Sequence, residues 1–554
     1  MTEELPETDI VSRQIWQSAN LLDYAMKDLD LRVKYDKPTK TSVLATGLSA
    51  FTDEPINLFL KGMSSVGKTY NTVQSLKYWS EDTVWFLGGM SRKSLQHDYG
   101  ILKNSQGEPI DQDNWPLKPR SRDYPDPSSF KEAMQNYQTD LKAKKEELKG
   151  SYVEVNLWHK VLVFLENPDY ETFMALRPIL SHDKEEMIYR FVDKTTKSGP
   201  MRTQIVKLVG WPATVFLSID TRYVEELATR GFTATPEDTP EKLEAANVLT
   251  NDKVSEPWSF SKETDAMKTL KGLIRRLKLT VDISEKPIRF VIPFPNLYEL
   301  FPHEIPRDMR DFQHFTQLIK ALAVLYYFQR PFMRVDETEY LLATAEDVKV
   351  AYGIYKEVFE TTRTGTDKRT LDFYWNIVVK HKEGTYLQVL TEEHNKTAPK
   401  KLSSKSIDRL CQRLEDIGYM DRRPNTEGEK PDKRLNLFVP LKLQPEKQTK
   451  LDNSQKALDL MSKLENGFDS WLKRCGQNIS FHKCKNAEAK VGNTEGLSHA
   501  DLRALILKNN FTVNSTDLCP HLDKPESTSE TAIEPNKTDK RDLSTFVHTS
   551  DYVR

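Results

Sequence analysis

The sequence predicts an α/β protein built on a parallel sheet, with a small unit of helices and a β-wing on its C-terminal side. Three observations predict it. An apolar run at 56–60 leads into Gly62-Met63-Ser64-Ser65-Val66-Gly67-Lys68-Thr69, and a helix start at 69–76 follows. Three more apolar runs, at 83–87, 160–166 and 213–217, alternate with helical stretches, as in a parallel sheet with both faces covered. Residues 371–441 then read as three helices and two strands.

The first run is a buried strand, and the eight residues after it fit G-x-x-x-x-G-K-[ST], the phosphate-binding loop of nucleotide triphosphatases. In that setting the backbone N–H groups of Gly62, Met63, Ser64, Ser65, Val66 and Gly67 curl around phosphates, and the helix N-terminus adds partial positive charge. Lys68 reaches the β- and γ-phosphates, and the Thr69 hydroxyl ligates Mg²⁺. The cofactors expected are therefore ATP and Mg²⁺.

Ahead of this loop, residues 9–30 read as one amphipathic helix and 39–49 as a second, within an N-terminal segment 1–40 and a core unit 41–250. Residues 101–150 are an insertion: a Pro/Asp/Gly-rich loop over 101–127, then Lys and Glu at helical spacing over 128–149. The third apolar run ends in Glu166, where an acid holds Mg²⁺ or polarises the attacking water; the residues leave both roles open. A helix over 169–180 follows. Residues 188–192 and 203–209 flank a polar loop and read as a β-hairpin. The fourth run ends in Ser218, a polar residue suited to orienting water between phosphate and metal. Arg230, ahead of the short segment 232–236, can reach a neighbouring subunit's γ-phosphate and neutralise transition-state charge.

Residues 251–375 read as a helical lid, mostly helical over 296–375. In the unit at 376–445, helices over 371–381 and 386–394 precede a third, capped by Ser404 and ended by Gly418. Ile407, Leu410, Leu414 and Ile417 form its buried stripe; Lys405, Arg409 and Arg413 lie on another face. Strands at 419–423 and 435–441 enclose a charged loop with Lys433 and Arg434. This is the pattern of a winged helix-turn-helix, whose third helix enters the major groove while the wing meets phosphate. A helical segment at 446–480 and a polar, largely disordered tail at 481–554 complete the chain.

Across 554 residues, 38% are hydrophobic and the net charge is −2, so affinity for nucleic acid has to come from local basic patches. Cys411, Cys475, Cys484 and Cys519 are too scattered for a disulfide scaffold and suit a reducing compartment. With His482 and His521 they match no compact zinc spacing. The N-terminus is too acidic for a signal peptide, and no apolar run is long enough to span a membrane. The reading is a soluble protein, cytoplasmic or nucleoid-associated.

The order of phosphate loop, Glu166, Ser218, Arg230 and a later arginine resembles the AAA+ ATPases over roughly residues 40–375. Within them it is most similar to the minichromosome maintenance replicative helicases. That resemblance implies a hairpin with a basic tip in a central pore, here carrying Lys194, Lys197 and Arg202. It also implies that Arg310, opening a long helix, is the second sensor arginine of the nucleotide site. The partners implied are DNA, single-stranded in the pore and duplex at the winged helix, and copies of the chain in a homo-oligomeric ring, a hexamer among the arrangements. The sequence departs from that family in its single acid at the strand end and in the short stretch ahead of the phosphate loop. The function expected is an ATP-dependent helicase or translocase in DNA replication. The alternatives are an ATP-switch origin-binding or loader protein, and a regulatory ATPase that remodels a protein partner.

Overall fold

The computed structural model describes residues 10–88, 100–110, 116–166, 168, 170–193, 202–217, 230–301, 303, 307–364, 366–398, 401–424, 436–443, 454–475, 479–484 and 494–507. The chain opens with α1 (Ile10–Ser18), α2 (Leu21–Asp30) and α3 (Lys37–Ser49). The single helix expected over 9–30 is divided at Asn20. Its side-chain oxygen accepts from the Asp23 N–H at 3.2 Å and starts α2 afresh.

β1 (Asn57–Leu60) and α4 (Lys68–Ser75) flank the phosphate loop, and β2 (Val84–Leu87) follows. Next come β3 (Ile101–Lys103), α5 (Pro127–Glu147), β4 (Tyr152–Asn156), β5 (Val161–Phe164) and α6 (Tyr170–Leu180). The expected hairpin is β6 (Glu186–Asp193) with β7 (Arg202–Val209), paired antiparallel, and β8 (Ala213–Phe216) and β9 (Phe232–Ala234) succeed it.

The central sheet has the order β2-β5-β8-β1-β9, every pair parallel. The fold class expected from the sequence, a parallel α/β core, is the one observed. Alternation along the strands covers both faces. Leu58, Leu60, Val161, Val163 and Val215 join the helical core, while Phe59, Leu162, Phe164 and Phe216 pack against α6, β4 and β7. On that second face the Phe164 and Phe216 rings stack with centroids 4.6 Å apart.

The insertion 101–150 holds the expected solvated helix as α5, but its first residues form β3, which pairs with β4 just beyond the insertion. β4 lies parallel to β7, and a four-stranded sheet β3-β4-β7-β6 braces the hairpin. The cause is local: Tyr-Val-Glu-Val-Asn alternates, and Val153 and Val155 are buried beneath the hairpin.

α7 (Pro240–Ser255), α8 (Pro257–Ser261), α9 (Asp265–Ser284), β10 (Phe290–Val291), α10 (Arg307–Leu325), β11 (Pro331–Val335), β12 (Thr338–Leu342) and α11 (Ala345–Thr364) follow. The stretch 296–375 thus contains a hairpin, turned by Asp336 at φ 53°, a left-handed conformation that Asp tolerates. α9, α10 and α11 share one apolar core with α3 and the sheet. Within it the buried Arg330 donates through Nε to Asp347 at 2.8 Å.

A separate core forms around Leu371, Tyr374, Leu390, Ile407, Leu414 and Phe438. It joins α12 (Lys368–Asn376), β13 (Thr385–Tyr386), α13 (Leu387–Thr397), α14 (Ser404–Asp416), β14 (Met420–Pro424) and β15 (Asn436–Pro440). Its three strands are ordered β13-β15-β14 and antiparallel. The cap of α14 is Ser403, one residue earlier than expected, its hydroxyl accepting from the Ser406 N–H at 3.3 Å.

The chain then returns to the main body through α15 (Ser454–Arg474), β16 (Ile479–Cys484), β17 (Thr494–Gly496) and α16 (His499–Leu507). β16 pairs antiparallel with β11, and Leu502 and Ile506 are fully buried in the main core. The stretch 481–554, expected to be a polar and largely disordered tail, is therefore folded at 481–484 and 494–507. Its remainder lies outside the described residues. Among the described residues no helix is long and apolar enough to cross a membrane.

Candidate functional site

The phosphate loop lies at the C-terminal edge of the parallel sheet, between β1 and α4. Its curl uses three left-handed residues: Gly62 at φ 141°, Ser65 at 66° and Gly67 at 91°. The two glycines remove the Cβ clash that such angles impose. No side chain caps α4, so its first-turn N–H groups remain for an anion. The Lys68 ammonium donates to the Gly62 carbonyl at 2.8 Å and the Met63 carbonyl at 2.7 Å, leaving one of its three donors for a phosphate oxygen. Burial pushes its pKa down, and the Asp367 carboxylate opposes that shift. Thr69 is exposed in the first turn of α4.

A cavity of about 720 Å³ opens on Met63, Ser64, Ser65 and Val66, a size suited to a nucleotide. Uncapped N–H groups, a tethered ammonium and this volume fit a nucleoside triphosphate. Mg²⁺ would be held by Thr69 and Glu166. Glu166 is exposed just past β5, on the same sheet edge as the loop, with β8 lying between the two strands. Ser218 lies outside the described residues, though β8, which leads to it, occupies that intermediate place.

Three groups at the site were not foreseen. Lys242, in the first turn of α7 and buried, donates to the Val66 carbonyl at 3.0 Å and the Glu237 carbonyl at 2.7 Å. It also pairs with Asp36 at 2.5 Å, whose carboxylate accepts from Asn71 of α4. This buried knot ties the loop, α4 and α7 to the start of α3. The third is Arg369, on the cavity wall, whose guanidinium contacts the Met63 sulfur. No local pattern announces any of them, because each meets the loop only through tertiary packing.

Arg310 is exposed in the first turn of α10 and is not among the residues lining the cavity; the structure brings Arg369 there instead. Arg230 is half-buried just before β9. β9 runs parallel to β1 in the register Leu58↔Phe232, Leu60↔Ala234, so Arg230 sits at the far end of the strand from its own loop. Gly231 makes that position possible: a Cβ there would lie 2.1 Å from the Asn57 carbonyl oxygen. Gly231→Ala is therefore expected to destabilise the protein by about 1–3 kcal/mol through overpacking. Chemical denaturation checks this, and an unchanged midpoint would show that β1 and β9 need no such close approach.

Of the basic residues expected to meet DNA, Lys405 and Arg409 are exposed on α14. Arg413 is half-buried, its guanidinium donating to Asp367 at 2.9 Å. Lys194, Lys197, Lys433 and Arg434 lie outside the described residues, as does the side chain of Arg202, which opens β7. Among the described residues no cluster of side chains that could hold a metal through His, Cys, Asp and Glu alone is found.

No protein-family model matches this chain, and no curated protein does. Solved structures similar to it include the ORC1 protein of Aeropyrum pernix in complex with DNA. That likeness has 11% identity and a TM-score of 0.21, over 82% of this chain and 97% of that one. The ORC2 protein of Aeropyrum pernix, in its ADPNP-ADP complexes, is similar at 12% identity and a TM-score of 0.19, over 84% of this chain and 99% of that one. Likenesses this slight give no ground for assigning a function, which has to be argued from the site itself.

Proposed function

We propose that the protein is an ATP-dependent, DNA-acting ATPase of the AAA+ type. The observation that carries this reading is the phosphate loop: Lys68 braced on two loop carbonyls, beside an uncapped helix and a nucleotide-sized cavity. Gly62 to Thr69 would bind the phosphates, with Mg²⁺ on Thr69 and Glu166. Ser218 would orient water, and Arg230 would serve the site of a neighbouring copy, since it lies away from its own.

The unit at 367–443 reads as a winged helix-turn-helix, with Lys405 and Arg409 turned to solvent for duplex DNA; Lys433 and Arg434, which follow β14 in the sequence, would join them. The hairpin tip, with Lys194, Lys197 and Arg202, would meet a single strand inside a ring. The translocase reading follows from that hairpin. One observation favours an ATP switch instead: α12 and α13 of the C-terminal unit wall the nucleotide cavity, so a bound nucleotide would touch both units of one chain.

ATP turnover measured with no DNA, with single strands and with duplex tests the proposal. DNA is expected to raise turnover, and Lys405→Ala with Arg409→Ala is expected to weaken duplex binding and its salt dependence while basal turnover stays the same. Strand displacement marks a translocase; DNA-stimulated turnover without displacement marks a switch. Turnover indifferent to DNA would reject both and leave a protein-remodelling ATPase.

A further inference from the structure

α5 is the longest element of the insertion, and its apolar side chains join none of the three cores formed by the described residues. The helix starts on Asp126, whose carboxylate accepts from the Ser128 and Ser129 N–H groups at 2.9 Å, with Pro127 in the first turn. From there Phe130, Met134, Tyr137, Leu141, Lys144 and Leu148 recur at alternate spacings of four and three. That is the seam of a two-stranded coiled coil, with Met134, Leu141 and Leu148 at a and Phe130, Tyr137 and Lys144 at d. All six are half-buried, while Gln135, Thr139, Lys142 and Glu146 on the opposite face are exposed. At the start of the seam the Tyr124 ring lies 5.9 Å from that of Phe130.

We infer that this seam takes α5 of a second copy of the chain, with the two helices parallel and in register. A surface helix ordinarily lays its apolar stripe on its own core, and this one of 21 residues meets none among the described residues. The charges beside the seam select the occupant. Lys131 and Lys145 fall at e, on one flank, and Asp140 and Glu147 at g, on the other. In a parallel pair, g of one helix meets e of the following heptad in the other. Asp140 then faces Lys145 of the second copy, and symmetry makes that pair twice. In an antiparallel pair g meets g and e meets e, so Asp140 would face Asp140 and Lys131 would face Lys145, both repulsive. Lys144 lowers the stability of the seam and fixes its register, since a slip would set it against an apolar side chain. In register the two Lys144 side chains meet, each held by its own Glu147 at 3.0 Å.

The test follows the full chain by sedimentation equilibrium without nucleotide, so the result does not depend on the phosphate loop. The parent is expected to dimerise. Leu141→Asp should raise the dimer dissociation constant by ~10- to 100-fold, as for loss of a buried leucine from each helix. Its thermal unfolding midpoint should match that of the parent monomer, because α5 lies outside the cores. Asp140→Lys should raise the constant by about 3- to 30-fold, since two attractive pairs become repulsive, and adding Lys145→Asp should restore the parent value. The two positions lie on opposite flanks of one helix, so recovery reports a contact between copies. If Leu141→Asp lowers the thermal midpoint, the charge pair, which leaves the apolar seam intact, decides alone. For direction, a short bis-maleimide should link two copies of Met134→Cys through that position and leave the parent unlinked; in an antiparallel pair centred on the seam the two sites would be about 15 Å apart. A monomer at every concentration, a dimer indifferent to both substitutions, no recovery on adding Lys145→Asp, or no link in Met134→Cys would each overturn the inference.

Discussion

Lys68→Ala is expected to abolish measurable ATP turnover, by ~10²- to 10³-fold or more, which is the usual loss when one preorganised donor to a developing charge is removed. The structure gives the substitution two effects. The γ-phosphate loses its nearest cation, and the loop loses the ammonium that holds the Gly62 and Met63 carbonyls together at 2.8 and 2.7 Å. Nucleotide affinity should fall along with kcat. The fold should survive, since the apolar core beneath the loop, built on Leu58, Leu60 and Val215, does not involve this side chain. A steady-state ATPase assay with a parallel nucleotide titration checks both, and unchanged turnover would rule out the nucleotide site.

Arg230→Ala should lower turnover by about 10³-fold or more while ATP binding stays near the parent value, as expected of an arginine finger. The register of β9 on β1 is the reason to expect action in trans. Arg230 stands before Phe232, level with the start of β1, whereas the loop leaves from Leu60 at its end. With strands rising by about 3.3 Å per residue, the arginine is roughly a full strand length from its own phosphates. Mixing Arg230→Ala with Lys68→Ala protein should restore part of the activity at hybrid interfaces, each copy supplying what the other lacks. Absence of rescue would remove the intersubunit role and with it the main support for a ring.

The parts of the molecule legible in the sequence are those whose determinants are close together in it. The strand, glycine-rich curl and helix around Lys68 are contiguous. So are the alternation of β6 and β7 and the stripe of Ile407, Leu410 and Leu414 on α14. β4 was equally legible in Tyr-Val-Glu-Val-Asn, but its partner β3 stands at the head of the Pro/Asp/Gly-rich stretch, with α5 between the two. β11 and β12 are short and sit between long helices, so a helical average swallowed them. β16 is placed by its pairing with β11, more than a hundred residues earlier, with β17 on its other side. The site divides the same way. The places of Lys68, Thr69 and Glu166 follow from motif and strand end, whereas Asp36, Lys242 and Arg369 converge on the loop from three distant segments.

The return of the chain through β16 and α16 also fixes what kind of motion the C-terminal unit can make. A unit hung from a single linker swings through a large volume and is bound to the body only by its contacts. This one is bridled at both ends: α11 anchors its entrance in the main core, and α15, β16 and α16 anchor its exit there. Two tethers keep it at high effective concentration beside the loop even when the Asp367 and Arg369 contacts are broken. A separation of the unit from the loop is therefore confined at both ends, as it would not be for a unit held by one linker. Cutting the chain between residues 443 and 454 would remove that confinement, and would strip the β11 edge of its partner if the severed strand diffused away.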